Sequence, residues 1–470
     1  MTLRLHDTLT GQVRPFTPLR EDGVGVYSCG PTVYGPAHIG NFRSFLFADV
    51  LIRHLRWRGF RVTWGMNITD VDDKIIRGAA AAGIGIDELA GRHVEGFLAD
   101  AAALRMTTPD VLPRATEHID RMVDLISTLL ERDYAYRTDD GSIFFRIASW
   151  PAYGRLARLD PEGMRVGERV VADEYAKDDV RDFALWKGPR AGEPSWETAI
   201  GPGRPGWHIE CSAMSIAHLG PSFDIHTGGV DLIFPHHEDE IAQSEAATGQ
   251  PFVATWLHCA HLQFAGTKMA KSTGNIAQVG EVLAAGVSPR ALRFALISVH
   301  YRAGLSYSDE SLAAAEAAVE RLDAAVAALR AYREDVVDDP TLPDTLNTAR
   351  DAFGAALDDD LNVSAGLGAV FELVRELNRR IERRTLSTAD AARALDALRD
   401  IDRVLGVLPD EAVDLDPETR ALLEAREAAR TGRDWAASDR LRDELAVRGV
   451  AVEDTRDGQR WRRIGEVVRG

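Results

Sequence analysis

The sequence predicts an α/β protein: a doubly wound parallel sheet with an inserted domain, followed by an α-helical bundle and a small C-terminal α/β unit. A β-type run over residues 24–29 leads through a glycine-containing loop into a long helical pattern, and a second β-type run covers residues 61–66. Strand, helix and strand in this order form a right-handed βαβ unit, whose ligand crevice lies at the carboxyl ends of the strands. Beyond Pro289 the chain is alanine-rich with alternating charges, which predicts the helical bundle.

The remaining elements follow in chain order. The first helix carries apolar residues at helical spacing from Phe42 to Leu51, and Gly59 is placed to end it. Residues 113–205 mix a helical pattern with a hairpin signal around Asp140-Gly141, so we interpret them as an insertion into the sheet domain. We predict these units: a Rossmann-like sheet domain over residues 1–300 with its insertion at about 113–205, a helical bundle over 301–407, and a C-terminal unit over 418–470.

Composition bounds the class of protein. The chain has 470 residues, 45% of them hydrophobic and 27% charged, so it can bury a large core. No run approaches the roughly 18 apolar residues of a membrane span, and the N-terminal residues contain no apolar segment like that of a secretory signal. We therefore expect a cytoplasmic protein without a membrane partner. We also expect a monomer. Its three cysteines are an odd, sparse set, which leaves metal binding or burial as their roles.

A histidine-containing segment, residues 36–41, lies where the first loop enters the helix. A helix N-terminus offers unpaired backbone N–H groups and the positive end of the dipole, so it favours an anion such as a triphosphate. His38 and Asn41 add hydrogen-bond donors, and Gly40 allows close approach of a nucleotide. The alternative is a histidine that only caps the helix.

Two lysines stand three positions apart in a loop bounded by glycines, residues 266–274. Lys268 and Lys271 can bring mobile positive charge to phosphate oxygens on which negative charge develops. The alternative is a solvated surface loop.

Together, and in this order, the two segments resemble the HIGH and KMSKS motifs of class I aminoacyl-tRNA synthetases. Further blocks narrow the resemblance to the cysteinyl-tRNA synthetases over essentially the whole chain: residues 27–34, 67–74, 206–214 and 234–240. Two positions depart from the class-wide motifs. Asn41 stands fourth in the HIGH motif, where its amide still donates a hydrogen bond, and Ala270 stands in the middle of KMSKS, which keeps both lysines.

The resemblance implies one zinc ion per chain, held by Cys29, Cys211, His236 and Glu240. These donor types suit zinc, and His236 and Glu240 at i, i+4 share one face of a helical turn. Spacing alone does not assemble the set, because the two cysteines are 182 positions apart and a free cysteine is more often buried as a small apolar residue. Since catalytic zinc usually has three protein ligands, we expect Glu240 to be held weakly.

Other residues near this set have alternatives. Cys259 has no counterpart in the resemblance and is interpreted as core. His237 and Glu238 are the nearest rival ligands, and we expect them to point to a different face.

The resemblance also assigns residues to the two small substrates. The amino-acid pocket would be lined by Gly30, Thr32, Thr69 and Trp207, and Asp231 would face the nucleotide. The alternative for Trp207 is a core aromatic, and for Asp231 a turn residue after two glycines.

Arginines flank an indole twice near the C-terminus, around Trp435 and around Trp461. Such a pattern suits phosphate pairing combined with stacking on an unpaired base, and the resemblance favours anticodon recognition. The alternative is an amphipathic helix with a solvated charged face. The net charge of −18 does not exclude RNA binding. Salt screens charges that are more than about 8 Å apart, so an RNA responds to local patches of charge and not to the total.

The resemblance implies a two-step reaction. The carboxylate of L-cysteine would attack the α-phosphate of ATP, with magnesium on the phosphates, and the 3′ end of tRNA(Cys) would then accept the cysteinyl group. The implied catalytic residues are His38, Asn41, Lys268 and Lys271. One rival function is a related ligase that acylates an amino sugar, although it would lack the C-terminal block. Another is a non-catalytic RNA-binding or zinc-storage protein, although the motif lysines and histidine are retained.

Overall fold

Strands and helices alternate through the first half of the chain, and helices dominate the second half. The computed structural model describes residues 2–158, 181–264, 267–268, 277–410, 417–455 and 458–463. The strands are β1 Arg4–Asp7, β2 Gln12–Pro15, β3 Val24–Ser28, β4 Val62–Met66, β5 Ala135–Arg137, β6 Ile143–Phe145, β7 Phe183–Lys187, β8 Arg204–Pro205, β9 Phe223–Gly229, β10 Val253–Cys259, β11 Leu262–Phe264, β12 Thr267–Lys268, β13 Leu305–Tyr307, β14 Val450–Thr455 and β15 Gly458–Arg463. The helices are α1 Ile39–Trp57, α2 Asp73–Ala82, α3 Ile86–Ala103, α4 Ile119–Glu131, α5 Trp207–Leu219, α6 Glu238–Thr248, α7 Val279–Ala284, α8 Pro289–Ile297, α9 Asp309–Ala331, α10 Leu342–Asp358, α11 Val363–Glu382, α12 Thr388–Leu405, α13 Pro417–Thr431 and α14 Trp435–Val447.

The central sheet has four parallel strands in the order β10-β9-β3-β4. From β3 the chain passes through α1 to β4 on one side, and β9 later pairs with the other side of β3. The direction of winding therefore reverses between β3 and β9. In open α/β sheets the ligand crevice lies at the carboxyl ends of the strands where this reversal occurs.

Both faces of this sheet are buried. Neighbouring residues of β3 point to opposite faces, and Val26 belongs to a core formed with α1, whereas Tyr27 belongs to a core formed with α5 and α6. A parallel sheet covered by helices on both faces is the doubly wound arrangement. The predicted fold class is confirmed.

A buried ion pair ties α1 to α8. Arg293 donates from Nη2 to Asp49 Oδ2 at 2.7 Å, and both side chains are inaccessible to solvent. Arg53 adds a second hydrogen bond to Asp49 at 2.9 Å. Burial by itself would raise the pKa of Asp49, but Arg293 and Arg53 outweigh it and hold that pKa below its ordinary value.

The predicted insertion contains its own antiparallel sheet, in the order β5-β6-β7-β8. The predicted hairpin joins β5 to β6, while residues 159–180 lie outside the described part of the chain. Strands β7 and β8 are linked to the first turn of α2 by ion pairs. Lys187 in β7 pairs with Asp73 at 2.8 Å, and Arg204 in β8 pairs with the same carboxylate.

The chain divides into two compact units, Met1–Leu408 and Pro409–Gly470. The first unit includes α9 to α12, which confirms the helical second half. The second unit consists of α13, α14 and the hairpin of β14 and β15 around a small core that includes Leu423 and Leu445. The domain bounds given from the sequence stay predictions. Among the described residues, no helix has both the length and the apolar character needed to cross a bilayer.

Candidate metal and substrate site

Three segments meet at the reversal point of the sheet. Cys29 directly follows β3, and its N–H donates to the carbonyl of Thr227 in β9 at 3.2 Å. Cys211 lies in α5, which packs across β3 and β4. His236 belongs to the short turn Ile233–His237, and Glu240 lies in the first turn of α6.

The side chains of these residues converge. Cys29 Sγ lies 3.8 Å from Cys211 Sγ and 3.8 Å from Glu240 Oε1. His236 Nε2 lies 3.0 Å from the same Glu240 oxygen, as the i, i+4 spacing predicts. A tetrahedral zinc with bonds of about 2.3 Å to sulfur holds two sulfurs about 3.8 Å apart. The donor atoms present therefore fit a zinc ion in both chemistry and separation.

The electrostatics of this set also suit a cation. Burial raises the pKa of Cys29, and the neighbouring Cys211 and Glu240 raise it further. Burial would also raise the pKa of Glu240, but His226 and His236 outweigh it and lower that pKa to about 2. An ionised carboxylate beside two thiols needs positive charge in so dry a place, and either protonated imidazoles or a bound divalent metal can supply it.

A second set of four donors overlaps the first. Cys29, His226, His237 and Glu240 also bring one ligand atom each within 4.8 Å of one another. His237 Nε2 lies 3.2 Å from Cys29 Sγ, so the expectation that His237 points to a different face was wrong. The sequence missed this because one short turn gives adjacent histidines access to the same thiol. Glu238 does point away, and its carboxylate accepts from the N–H groups of residues 154, 156 and 157.

Two further side chains contact His236. Its Nδ1 lies 2.9 Å from Nδ1 of His208, whose Nε2 lies 3.3 Å from Asp239 Oδ2. The ring of Trp207 stacks on the ring of His236 with 4.1 Å between centroids. Trp207 is 36% exposed and so is not a core aromatic. His208 and Asp239 lie within the segments that carry the family resemblance, but their spacing in the sequence did not predict that they would contact each other or His236.

Two of the residues predicted for the amino-acid pocket, Gly30 and Thr69, belong to one hydrogen-bonded chain at the ends of β3 and β4. Gly30 N–H donates to Asn67 Oδ1 at 2.8 Å, and Asn67 Nδ2 donates to Thr69 Oγ1 at 3.0 Å. Thr69 Oγ1 in turn donates to Glu210 at 2.8 Å. A Cβ at Gly30 would lie 1.9 Å from the carbonyl oxygen of Asn67, so only glycine fits. Thr32 pairs with Thr69 through the backbone, and neither Asn67 nor Glu210 had been assigned to the amino-acid pocket.

The histidine segment forms the cap of α1. His38 Nδ1 accepts from the N–H of Asn41 at 3.2 Å, and Asn41 Oδ1 accepts from the N–H of His38 at 3.1 Å. Ile39 N–H donates to the carbonyl of Ala277 at 3.0 Å. His38 therefore caps α1 through Nδ1, as the alternative interpretation of this histidine predicted. Gly40 lies in this first turn, close under the His38 ring.

The other predicted nucleotide residues lie at the same end of the sheet or beyond the described part. Asp231 stands in the turn Val230–Leu232 that follows β9, and its carboxylate lies 3.9 Å from Nδ1 of His261. Lys268 ends β12, where only its backbone is described. Lys271 and Ala270 lie outside the described residues.

Comparison with known proteins gives this architecture a family. Residues 15–317 match the model of the class I (C) tRNA synthetase catalytic domain, residues 352–409 match the DALR domain, and residues 412–462 match the cysteinyl-tRNA ligase anticodon binding domain. The cysteine–tRNA ligase of Solibacter usitatus is 45% identical over 98% of this chain and its own whole length. That of Alkalilimnicola ehrlichii is 46% identical over 98% of this chain and its own whole length.

The chain belongs to the cysteine–tRNA ligase family. It is accordingly an enzyme of the aminoacyl-tRNA ligase class.

Solved structures agree with the fold of the family. A Mycobacterium tuberculosis methionyl-tRNA synthetase in complex with methionyl-adenylate matches 89% of this chain and 96% of its own, with a TM-score of 0.57 at 18% identity. The ternary complex of Agrobacterium radiobacter K84 agnB2 LeuRS with tRNA and LeuAMS matches 83% of this chain and 85% of its own, with a TM-score of 0.60 at 11% identity. At these identities the likeness is one of fold.

In this member of the cysteine–tRNA ligase family, the region matched to an anticodon-binding domain carries exposed indoles. Trp435 begins α14 and is 59% exposed, and Trp461 in β15 is 38% exposed. The three arginines of β15, at positions 460, 462 and 463, all have side chains outside the described part. Within the second unit, Arg426 pairs with Asp454 at 2.8 Å, so this arginine serves the fold.

Proposed function

We propose that the protein activates L-cysteine with ATP to cysteinyl-adenylate and transfers the cysteinyl group to the 3′ end of tRNA(Cys), with one zinc ion that recognises the substrate thiol. The observation that carries the zinc assignment is the 3.8 Å separation of Cys29 Sγ and Cys211 Sγ, with His236 and Glu240 beside them. In this proposal the enzyme acts as a monomer in the cytoplasm.

The first set of donors is favoured over the second. It contains two thiol ligands rather than one, and soft sulfur donors bind zinc strongly. His226 is engaged elsewhere, since its Nε2 lies 3.0 Å from Glu240 Oε2, the oxygen that does not face Cys29. The assigned ligands are therefore Cys29, Cys211, His236 and Glu240. Glu240 is the one expected to bind weakly, because His226 already contacts the other oxygen of its carboxylate.

Thiol recognition gives selectivity against serine a physical cause. When bound, zinc favours the deprotonated thiol of cysteine as a ligand over the hydroxyl of serine. An apolar pocket separates analogues that differ this little by only about 10–200-fold, whereas a site that bonds the distinguishing atom discriminates more strongly. The protein's part is to hold the two thiols, the imidazole and the carboxylate at fixed separations in a buried place.

The remaining pocket residues would orient the rest of the substrate amino acid. Glycine at position 30 lets the backbone after β3 lie close to Asn67, and Thr32 and Thr69 lie side by side as a backbone bridge. Trp207 lies over His236 from the exposed side, where it would limit the access of water. Such positioning places the cysteine carboxylate for attack on the α-phosphate.

ATP with magnesium would lie along the start of α1. We assign its contacts to His38, Gly40, Asn41, Asp231, Lys268 and Lys271. The hydrogen bonds between His38 and Asn41 fix the first turn, and the N–H of Ile39 joins this turn to residue 277, just beyond the lysine loop. The two lysines would stabilise negative charge on the phosphates during adenylation, with His38 and Asn41 positioning them.

One experiment separates this function from its rivals. Purified protein is analysed for zinc, for pyrophosphate exchange with cysteine and with serine, and for charging of tRNA(Cys). We expect about one zinc per chain, exchange with cysteine only, and cysteinyl-tRNA as product. Equal exchange with serine would contradict thiol recognition, exchange without charging would favour the amino-sugar ligase, and no exchange at all would favour a non-catalytic protein.

A further inference from the structure

The strongest unexplained feature is the pair of histidine chains behind the metal set. In the first chain of contacts, His236 Nδ1 lies 2.9 Å from His208 Nδ1, and His208 Nε2 lies 3.3 Å from Asp239 Oδ2. In the second chain of contacts, His237 Nδ1 lies 2.8 Å from His258 Nε2, and His258 Nδ1 lies 2.7 Å from Thr8 Oγ1. Each chain starts within reach of Cys29 or Glu240, and the two chains end on chemically different groups, a carboxylate and a hydroxyl.

The first chain has only one arrangement of protons that leaves His236 able to bind a metal. The nitrogen that faces the set is Nε2, so the proton of neutral His236 is on Nδ1. That proton is donated to Nδ1 of His208, which must then carry its own proton on Nε2. The Nε2–H of His208 is donated to Asp239 Oδ2, while Asp239 Oδ1 accepts from the hydroxyl of Tyr153 at 2.5 Å.

The second chain imposes no such direction. Its terminal group is the hydroxyl of Thr8, which can donate or accept. His237 can therefore present either a lone pair or an N–H to Cys29 Sγ, 3.2 Å away. Only the chain that ends on a carboxylate ends on an oxygen placed to accept from His208 Nε2–H, and this contact fixes the tautomer of His236.

We propose that Asp239 and His208 are positioning residues of the metal site: they hold His236 with Nε2 free to bind the metal and thereby select His236 over His237. The inference rests on the proposed function, because it takes zinc as the ion. Partners of this kind, one shell outside the ligands, typically contribute about 10–100-fold to metal affinity. Asp239 is 1% exposed, so bulk solvent does not replace the hydrogen bond that it accepts from His208.

The test measures the zinc dissociation constant of the full-length protein by competition with a chelator. Asp239→Asn is expected to weaken zinc binding by about 10–100-fold. Glu238→Gln is the matched control, since Glu238 is the adjacent buried acid and binds backbone N–H groups on the other side. Thr8→Val tests the second chain, and it is expected to leave zinc affinity within about threefold of the wild type.

A second measurement separates positioning from a general loss of structure. His208→Phe removes the link while Asp239 itself is retained, and it should weaken zinc binding to a similar degree. Because Asp239 acts through His208, the double variant Asp239→Asn/His208→Phe should bind zinc no more weakly than His208→Phe alone. In the cobalt-substituted protein, Asp239→Asn should shift the visible absorption bands and Glu238→Gln should leave them unchanged.

Several outcomes would overturn the inference. Additive losses in the double variant, equal losses for Asp239→Asn and Glu238→Gln, or a large loss for Thr8→Val would each do so while leaving the zinc site intact. A wild-type protein that binds no zinc would overturn the site itself and this inference with it.

Discussion

The indole of Trp207 lies flat against the imidazole of His236, with 4.1 Å between ring centroids and 22° between planes. Trp207 is the first residue of α5, and Cys211 lies one turn further along the same helix. One helix therefore supplies both a thiol of the metal set and the ring that covers its histidine.

We predict that Trp207→Ala raises the KM for cysteine in pyrophosphate exchange by about tenfold. An aromatic pair contributes about 0.5–1.5 kcal/mol beyond the burial of its area, and loss of the indole also opens the set to water. Trp207→Phe retains a ring and should lose much less. Equal KM values for the two variants would show that stacking is unimportant.

Cys211→Ser should abolish tight zinc binding and cysteine-dependent exchange together. A hydroxyl is a poor zinc ligand, so only one thiol would remain in the set. Cys259→Ser is the matched control, since Cys259 is equally buried, belongs to neither set of metal donors, and contacts the backbone carbonyls of residues 43 and 260. Zinc content measured by atomic absorption should fall in the first variant and stay near the wild-type value in the second.

Replacing either motif lysine by alanine should lower kcat for exchange with little change in the KM for cysteine. We expect about a hundredfold loss for Lys268→Ala or Lys271→Ala, as is typical for loss of one group that stabilises charge in a transition state. Initial rates over a range of cysteine concentrations separate kcat from KM. A loss confined to KM would assign the lysines to substrate binding instead.

Asp49→Asn should destabilise the first unit by about 3–5 kcal/mol, because it leaves the buried guanidinium of Arg293 without its counter-ion. Urea titration measures the loss of unfolding free energy. Glu88→Gln breaks an exposed pair with Arg92 and should cause no measurable loss.

The same carboxylate makes stability depend on pH. The pKa of Asp49 is depressed in the folded protein, so the unfolded state binds protons more readily. Its contribution to stability is present above the ordinary aspartate pKa of about 3.9 and is lost as the pH falls through the lower folded value. The difference in stability between wild type and Asp49→Asn should therefore shrink below about pH 4. A difference that stays constant to lower pH would contradict this.

Trp435→Ala should weaken tRNA(Cys) charging and leave pyrophosphate exchange unchanged. Stacking of a base on an aromatic ring is worth about 1–3 kcal/mol, so we expect the KM for tRNA to rise at least fivefold. Val447→Ala, on the same helix and 88% exposed, is the control and should change neither activity. A parallel loss of exchange would indicate that Trp435 serves the fold.

Much of the fold could be read from local pattern. The apolar residues from Phe42 to Leu51 repeat at helical spacing, and α1 is the helix they predict. The two β-type runs around it became β3 and β4, because a parallel strand covered by helices shows in the sequence as a short apolar stretch. The motif blocks likewise placed Cys29, Cys211, His236 and Glu240 as candidates before any contact was known.

By itself, then, the sequence determined the class of fold, the family resemblance and the chemical types of donor available. Only the tertiary structure decided that Cys29 and Cys211 lie 3.8 Å apart, that His237 reaches the same thiol as its neighbour, and that His208 and Asp239 stand behind His236. The physical reason is that periodicity records which face of its own element a residue occupies. Which faces meet depends on strand order and on helices packed across the sheet, and those contacts join residues far apart in the chain.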